Sequence, residues 1–236
     1  LYTPRELEHQ LKDAGVRIMV VFAGSSATVA EVMASTPLQT VITAGPGDGS
    51  PAKLPGPPVD PRLDGALAFA DVLAEGAALS FDPVDVDGDD LLFLQYTGGT
   101  TGLSKGAALS HRNLVANTEQ FKAAMGGNPP VSHDVIVTAI PLYHIFALMV
   151  NFITYFSVGA DNWLVANPRD MDGFVQTLAQ AKPSVFMGVN TLYAGLVAHP
   201  KIREVDFSNL RLSGGGGAAV IAAVSAKWQE ITGQFI

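Results

Sequence analysis

A short segment rich in glycine and threonine carries the residues most suited to chemistry in this sequence of 236 residues. It occupies residues 96–106 and follows an apolar run, residues 91–94, that has the length of a buried strand. Its glycines let backbone N–H groups approach an anion closely, because they lack a Cβ atom. The glycines are Gly98, Gly99 and Gly102, and the side-chain donors are Thr97, Thr100, Thr101 and Lys105. This composition predicts a loop that binds phosphate groups.

The spacing within this phosphate loop, residues 96–106, excludes the two commonest nucleotide-binding loops. In the loop of nucleoside triphosphatases the lysine directly follows a glycine, whereas Ser104 precedes Lys105 here. A dinucleotide-binding fingerprint opens a helix straight after its glycines, but here residues 107–109 are predicted to be extended and a helix is predicted only from Ser110 or His111. A flexible hairpin loop that binds nothing is the alternative that the composition leaves open.

A second glycine-rich segment, residues 213–219, lies where a strand is predicted to turn into a helix. Its four consecutive glycines, residues 214–217, leave bare backbone against which a flat ring can lie while peptide groups bond to the edge of the ring. The alternative is a tight connection that needs glycine for steric reasons alone.

His144 is a polar residue inside an apolar run, residues 141–146. A lone histidine in such a run is most often a hydrogen-bonded core residue, and the run by itself favours that interpretation. Residues 188–191 have by themselves the character of a loop at the end of a strand.

The composition argues against several classes of function. A net charge of −8, with scattered basic residues, argues against nucleic acid as a partner. The sequence contains no cysteine, which excludes disulfides, a thiol nucleophile and a cysteine-based metal site. The five histidines lack the paired spacing of metal ligands, so a metal held by protein imidazoles is not expected.

One long apolar stretch raises the question of a membrane span. Residues 135–160 contain no Asp, Glu, Lys or Arg, and this span is long enough to cross a bilayer. Pro141, Asn151 and Gly159 interrupt it, which favours a buried strand, a turn and a helix from about His144.

At the start of the chain, Thr3 and the residues after it predict a capped helix, and no signal peptide is recognised.

Strands and helices are predicted to alternate through most of the chain, which indicates an α/β fold of mainly parallel sheets with helices packed on both faces. Residues 44–62 are predicted to be a loop rich in proline and glycine. The acidic residues 82–90 are predicted to form a solvated segment that leads into the central strand at residues 91–94. Helices are predicted at residues 4–14, 26–34, 67–73, 110–125, 170–181, 192–198 and 218–231, the last with Trp228 on its buried face. Strands are predicted at residues 18–22, 38–43, 135–139, 162–165, 184–187 and 210–212, and the apolar strand at 18–22 is expected to be buried.

The amino-acid sequences of three motifs are similar to those of a known family. The sequence Tyr-Thr-Gly-Gly-Thr-Thr-Gly-Leu-Ser-Lys-Gly of residues 96–106 resembles the phosphate loop of the adenylate-forming, or AMP-binding, superfamily. Residues 141–148 and 188–192 are similar to bacterial long-chain fatty acid:CoA ligases in particular. The resemblance covers nearly the whole chain and implies that residues 1–236 are part of a large N-terminal AMP-binding domain.

The resemblance implies a role for each motif. The phosphate loop would hold the β- and γ-phosphates of ATP, His144 would be catalytic beside the acyl carboxylate and the α-phosphate, and the glycine-rich segment would lie along the purine. The ATP-binding residues are then Thr97, Gly98, Gly99, Thr100, Thr101, Gly102, Lys105, Gly215, Gly216, Gly217 and Ala218, and the acyl pocket is lined by Tyr143, Gly188, Val189 and Asn190. Ser104 and Ala219 depart from the prolines that are frequent at these places in relatives.

The chemistry implied by the resemblance uses ATP, Mg²⁺ and CoA to convert a long-chain fatty acid through an acyl-adenylate to its CoA thioester. An adenylation domain for an amino acid would carry an acidic residue in its pocket, and residues 143–150 contain none, which favours a fatty acid. A non-catalytic nucleotide-binding module is the other alternative. The implied partners are small molecules and no nucleic acid, and the implied location is the cytoplasm, with peripheral membrane association as an alternative.

The same resemblance leads us to expect that this chain alone is inactive. In the family, the glutamate that binds magnesium, the aspartate that binds ribose and the lysine that contacts the α-phosphate come from segments after the position of Ile236, the last of them from a C-terminal domain absent here. No metal ligand is therefore expected within the chain, and weak ATP binding without acyl-adenylate formation is the expected behaviour.

Overall fold

The structure is a computed structural model that describes residues 2–48, 54–98 and 103–236. The chain divides into two compact units, Leu1–Ser110 and His111–Ile236.

The first unit contains a three-stranded parallel sheet in the order β1-β2-β3. Its strands are β1 Ile18–Phe22, β2 Thr40–Ala44 and β3 Leu67–Ala68, and its helices are α1 Pro4–Asp13, α2 Ser26–Val32 and α3 Phe69–Gly76, with short 3₁₀ turns at Ala23–Ser25 and Met33–Ser35. The predicted helix at residues 67–73 begins two residues late, because Leu67 and Ala68 pair with β2. The part of the 44–62 loop that the structure describes has no helix or strand beyond the end of β2.

Helix α1 is defined by local signals at both ends. Thr3 and Glu6 form the predicted capping box, in which the Glu6 carboxylate accepts from the Thr3 N–H at 2.8 Å. Gly15 follows the helix with a φ of +61°, a conformation that glycine adopts without steric cost. The apolar face of α1 packs into the core of this unit, whose buried members are Leu7, Leu11, Val21, Val29, Val32, Leu38, Val41 and Leu63.

Strand β1 is where predicted, but the prediction that it is buried was wrong, since only one of its faces is covered. Val21 is buried in the core with α1 and α2, whereas Ile18 is 65% exposed, and Val20 and Phe22 are also exposed. Alternate residues of a strand point to opposite faces of the sheet, and helices α1 and α2 pack on the Val21 face.

The phosphate loop connects two antiparallel strands, β4 Leu91–Thr97 and β5 Lys105–Ser110. A connection this short cannot cross over to a parallel strand, so this pair departs from the mainly parallel pattern. The predicted strand at residues 91–94 is confirmed but is not buried, since Leu91 is 58% exposed. Among the residues of this hairpin that the structure describes, Tyr96 is the buried one.

The second unit contains a four-stranded parallel sheet in the order β7-β6-β8-β9. Its strands are β6 Val135–Thr138, β7 Asp161–Leu164, β8 Val185–Gly188 and β9 Leu212–Gly215, and its helices are α4 His111–Ala124, α5 Met171–Ala181, α6 Asn190–Ala198 and α7 Ala222–Thr232, with a π-helical segment Ala147–Thr154 and a 3₁₀ turn Ile202–Glu204. This sheet agrees with the predicted parallel α/β arrangement.

Helices cover both faces of this second sheet, as predicted. One face packs in a core of buried aromatic and aliphatic residues with α5, α6 and α7, and the other packs against the π-helical segment and α4. Trp228 of α7 is fully buried, and its indole N–H donates to the Ser213 hydroxyl at 2.9 Å.

Among the described residues, no helix is long and apolar enough to cross a bilayer. The apolar stretch at residues 135–160 divides into β6, a turn and the π-helical segment.

A buried ion pair joins the amino ends of the strands of this sheet. The Asp134 carboxylate, before β6, accepts from the Arg211 guanidinium, before β9, with one of the two hydrogen bonds at 3.0 Å. It also accepts from the Ser184 hydroxyl at 2.6 Å and from the Val131 N–H at 2.9 Å. Burial by itself raises the pKa of Asp134, but the hydrogen bonds from Arg211 and Ser184 outweigh burial, so this pKa lies below its usual value.

Candidate functional site

The described residues of the phosphate loop lie at the loop end of the β4–β5 hairpin. Thr97 pairs with Lys105 across the two strands, and both residues are exposed, as is Gly98. Four further predicted ligands, Gly99, Thr100, Thr101 and Gly102, lie outside the described residues, so their role stays a prediction. The hairpin geometry fits both an anion-binding loop and the alternative of a hairpin loop without a ligand.

Helix α1 contacts this hairpin through two side chains that the sequence pattern does not single out. His9 Nε2 lies 2.9 Å from the backbone oxygen of Ser104, directly before β5. The Tyr96 hydroxyl, near the end of β4, donates to the Asp13 carboxylate at 2.5 Å. The signal in the sequence was a histidine and an aspartate one helical turn apart on α1, but nothing local indicated their partners.

The glycine-rich segment is partly strand, which corrects two predictions. Strand β9 runs from Leu212 through Gly215 instead of ending at residue 212, because Gly214 and Gly215 pair with Met187 and Gly188 of β8. The predicted helix at residues 218–231 begins only at Ala222, and residues 218–221 form the connection.

Steric packing accounts for glycine at three of these positions. A Cβ atom at Gly214 would lie 2.5 Å from the Met187 sulfur, one at Gly215 would lie 2.4 Å from Val220 Cγ2, and one at Gly216 would lie 2.7 Å from the Phe146 ring. Gly217 has a φ of +77°, which most side chains disfavour. The steric alternative is therefore supported, and the contact with a purine stays a prediction. Gly215, Gly217 and Ala218 are nevertheless exposed, so their backbone is accessible to a ligand.

The side chain of His144 is exposed, which excludes the interpretation of a core histidine. Its Nδ1 atom accepts from the Phe146 backbone N–H at 3.2 Å. A neutral imidazole that accepts at Nδ1 carries its hydrogen on Nε2, so Nε2 is left as the donor. This geometry fits the predicted donation to a developing negative charge.

Of the four residues predicted to line an acyl pocket, one is largely exposed and the other three lie at the end of β8 and the start of α6. Tyr143 is 80% exposed, whereas Gly188 is buried and paired with Gly215 of β9. Val189 directly precedes α6, and Asn190 is the first residue of that helix instead of a loop residue. The Asn190 side-chain oxygen accepts from the Ile221 N–H at 2.9 Å and so holds the connection before α7. The acyl-binding role of these four residues stays a prediction.

The predicted site residues of the second unit converge at the carboxyl ends of β6, β8 and β9. Phe146, two residues after His144, packs against Gly216, and Val189 lies beside Gly217. The Gly216 N–H donates to the backbone oxygen of Gly188 at 3.2 Å. Open parallel α/β sheets bind ligands at this edge, outside the carboxyl ends of their strands.

Tyr193 is a second feature that the sequence pattern does not reveal. Its buried hydroxyl lies 3.0 Å from the backbone oxygen of Phe186 and 2.9 Å from that of Gly214, and so bridges β8 and β9. Burial raises the pKa of Tyr193, so the hydroxyl keeps its proton and remains a donor. It thereby holds the strand that presents the glycine-rich segment.

The described part of the chain brings together no group of three or more His, Asp or Glu side chains that could hold a metal ion.

Comparison with known proteins gives consistent matches over the whole chain. The AMP-binding enzyme family matches residues 1–236. The long-chain-fatty-acid–CoA ligases of Salmonella typhimurium and Yersinia pestis are 41% and 42% identical to this chain over its full length. The chain spans 44% of the length of each of these relatives.

A solved structure shows the same fold. The crystal structure of the anthranilate CoA ligase AuaEII in complex with anthranoyl-AMP aligns with the whole chain at a TM-score of 0.84 and a sequence identity of 24%. The chain covers 43% of that protein. At this identity the likeness concerns the fold alone.

Proposed function

This chain belongs to the family of AMP-binding enzymes, and from that premise we propose that the whole protein is an AMP-forming long-chain fatty acid:CoA ligase. The observation that carries the proposal is the identity of 41–42%, over the full length of the chain, to ligases of that name. The arrangement of the candidate site residues supports it.

The proposed reaction has two steps. In the first, a carboxylate oxygen of the fatty acid forms a bond to the α-phosphorus of ATP, and the bond from that phosphorus to pyrophosphate breaks. In the second, the sulfur of CoA forms a bond to the acyl carbonyl carbon, AMP leaves, and the thiol proton is released. Mg²⁺, when bound with ATP, would neutralise part of the phosphate charge.

The hairpin supplies positive charge and hydrogen-bond donors for the phosphates. Lys105 and Thr97 are both exposed and pair across β4 and β5, so the lysine ammonium and the threonine hydroxyl are presented on the same face of the hairpin. Catalysis of phosphoryl chemistry consists largely of positioning and charge stabilisation, which these groups can provide. Gly99, Thr100, Thr101 and Gly102 belong to the same proposed binding loop.

His144 is proposed to stabilise charge at the reacting carboxylate and the α-phosphate. Its Nε2–H is the available donor, since Nδ1 is occupied by the Phe146 N–H. That hydrogen bond also fixes the orientation of the ring before the substrate binds, which lowers the cost of reorganisation during the reaction.

The edge of the sheet in the second unit is proposed to bind the adenine and the acyl group. The exposed backbone of Gly215, Gly217 and Ala218 would lie along the purine. Tyr143 and Val189 offer apolar surface for an acyl chain, and residues 143–150 contain no acidic group that would select an amino acid. We further propose a cytoplasmic location, where ATP and CoA are available.

An assay of pyrophosphate release by the whole protein tests this function. Saturated fatty acids of increasing length, benzoate and amino acids would be supplied one at a time with ATP. We expect release to require a carboxylic acid and to be fastest with long-chain fatty acids. Faster pyrophosphate release with amino acids or benzoate than with fatty acids would identify an adenylating enzyme for another acid. ATP binding without pyrophosphate release under any of these conditions would indicate a non-catalytic module.

Replacing His144 by alanine should slow acyl-adenylate formation roughly 10- to 100-fold, as for a lost donor to a developing charge. The melting temperature should stay unchanged, because the side chain is exposed. His144→Gln keeps an N–H donor and should recover part of the rate. An unchanged rate per folded molecule in His144→Ala would show that the imidazole does not take part in the first step.

A further inference from the structure

Helix α1 joins the core of the first unit to the β4–β5 hairpin. Leu7 and Leu11 are buried in the core with α2 and the parallel sheet. His9 and Asp13 each come two residues later, which at 3.6 residues per turn places them on the opposite side of the helix. The capping box at Thr3 holds the start of α1. The helix is therefore anchored on one side while its other side contacts the hairpin.

The two contacts bracket the phosphate loop. Asp13 holds Tyr96 at the end of the strand that leads into the loop, and His9 holds Ser104 at its exit, next to Lys105. A backbone carbonyl only accepts hydrogen bonds, so His9 Nε2 is the donor in the second contact. Burial, and then the hydrogen bond to Asp13, raise the pKa of Tyr96 to about 12. The Tyr96 hydroxyl therefore stays protonated and is the donor in its contact with Asp13.

The packing of the Tyr96 ring adds to this connection. Tyr96 is buried, and it pairs across the strands with Gly106. A Cβ atom at Gly106 would lie 2.9 Å from the Tyr96 ring, so the ring lies directly over the partner strand. The ring thus spans β5 while its hydroxyl reaches α1, and both strands are held where they enter and leave the loop.

We infer that His9 and Asp13 are positioning residues that preorganise the phosphate loop for the triphosphate of ATP. The inference rests on the proposed function, because it requires that the loop binds the phosphates. A loop whose ends are held in the binding geometry loses less conformational freedom when ATP binds, which favours tight and correctly oriented binding. Neither residue needs to touch the nucleotide for this effect.

The test uses the whole protein, with the concentrations of ATP and fatty acid varied separately. His9→Ala removes the donor to Ser104 and should raise the KM for ATP roughly 3- to 10-fold, the effect of one hydrogen bond, while the KM for the fatty acid stays within about twofold. His9→Gln places an N–H donor near the position of Nε2 and should restore the KM for ATP. Tyr96→Phe keeps the ring, removes the hydroxyl, and should act in the same direction as His9→Ala.

Lys12→Ala is the matched control on the same helix. The Lys12 side chain bonds Glu8 within α1 at 2.6 Å, so its loss should leave both KM values unchanged. Amide hydrogen exchange gives a readout that does not depend on turnover. Peptides covering residues 96–106 should exchange faster in ATP-free His9→Ala protein than in the wild type or in Lys12→Ala.

The outcomes separate this inference from the proposed function. If Lys105→Ala slows the reaction but His9→Ala and Tyr96→Phe leave the KM for ATP unchanged, the loop binds phosphate and α1 does not position it. If both KM values rise together, or rise equally in Lys12→Ala, the role of His9 is one of general stability and the inference is overturned. If Lys105→Ala has no effect, the proposed role of the loop fails and the inference fails with it.

Discussion

Replacing Lys105 by alanine in the whole protein is expected to slow fatty-acid-dependent pyrophosphate release roughly 10- to 1,000-fold, on the scale of a lost donor to transition-state charge. The lysine is exposed at the first residue of β5 and pairs with Thr97. Its ammonium group would neutralise charge on the departing pyrophosphate, and that charge grows as the reaction proceeds. The measurement is the single-turnover rate of acyl-adenylate formation at saturating ATP and fatty acid.

Lys227→Ala is a suitable control for this prediction. Lys227 is an exposed residue inside α7, and alanine maintains a helix well there. The control should keep the wild-type rate, and both variants should keep the wild-type melting temperature. A Lys105→Ala protein that reacts as fast as Lys227→Ala would show that the hairpin does not bind the phosphates.

Replacing Arg211 by methionine is expected to lower the free energy of unfolding by about 3–5 kcal/mol, the cost of leaving a buried charge without its partner. The Asp134 side chain is 0% exposed, and Arg211 supplies two of its hydrogen bonds. Because Arg211 is itself 27% exposed, the lower end of this range is the better expectation. Urea unfolding of the whole protein at pH 7 measures the loss.

The pH dependence of this variant provides a second check. In the wild type the pKa of Asp134 lies below its usual value, so its contribution to stability is present above the unfolded pKa and is lost as pH falls through the folded pKa. Without Arg211, burial should raise the pKa of Asp134 above its unfolded value, since the largest favourable interaction is gone. The difference between variant and wild type should therefore be largest at neutral pH and should shrink as the carboxyl becomes protonated.

Two further variants complete this experiment. Arg203→Met removes a similar ion pair, but Arg203 and Glu230 are 59% and 62% exposed, so little loss of stability is expected. The double variant Asp134→Leu/Arg211→Met leaves no buried charge and should regain part of the lost stability. If Arg211→Met costs no more than Arg203→Met, the buried pair does not stabilise the sheet.

Local signals made several elements predictable. The capping box of Thr3 and Glu6, and Gly15 after the helix, act over a few residues, so the ends of α1 could be predicted from the sequence. The contiguous motif at residues 96–106 likewise identified the loop after the strand at residues 91–94 and the family, but not the antiparallel pairing of β4 with β5. The alternation of strands and helices indicated the parallel sheets, because a parallel pair needs a crossover between its strands.

Burial was harder to predict than the position of the elements. The apolar runs in β1 and β4 were predicted to be buried, yet Ile18 and Leu91 are exposed. An apolar run shows that a strand is favoured, but whether each face is covered depends on which helices pack against it. The run of four glycines shows the same limit, since the close contact with the Phe146 ring could not be inferred from the glycines themselves.

The sequence by itself determined the family motifs, the order of elements and the residue types available for binding phosphate, because these depend on short stretches of chain. Only the tertiary structure decided which distant groups meet. His9 and Ser104 are 95 positions apart, and Asp134 and Arg211 are 77 apart. Such contacts form when β-sheets and helices pack into a common core. The free energy of that packing is distributed over many residues, and the local sequence around each residue does not indicate which distant residue it will contact.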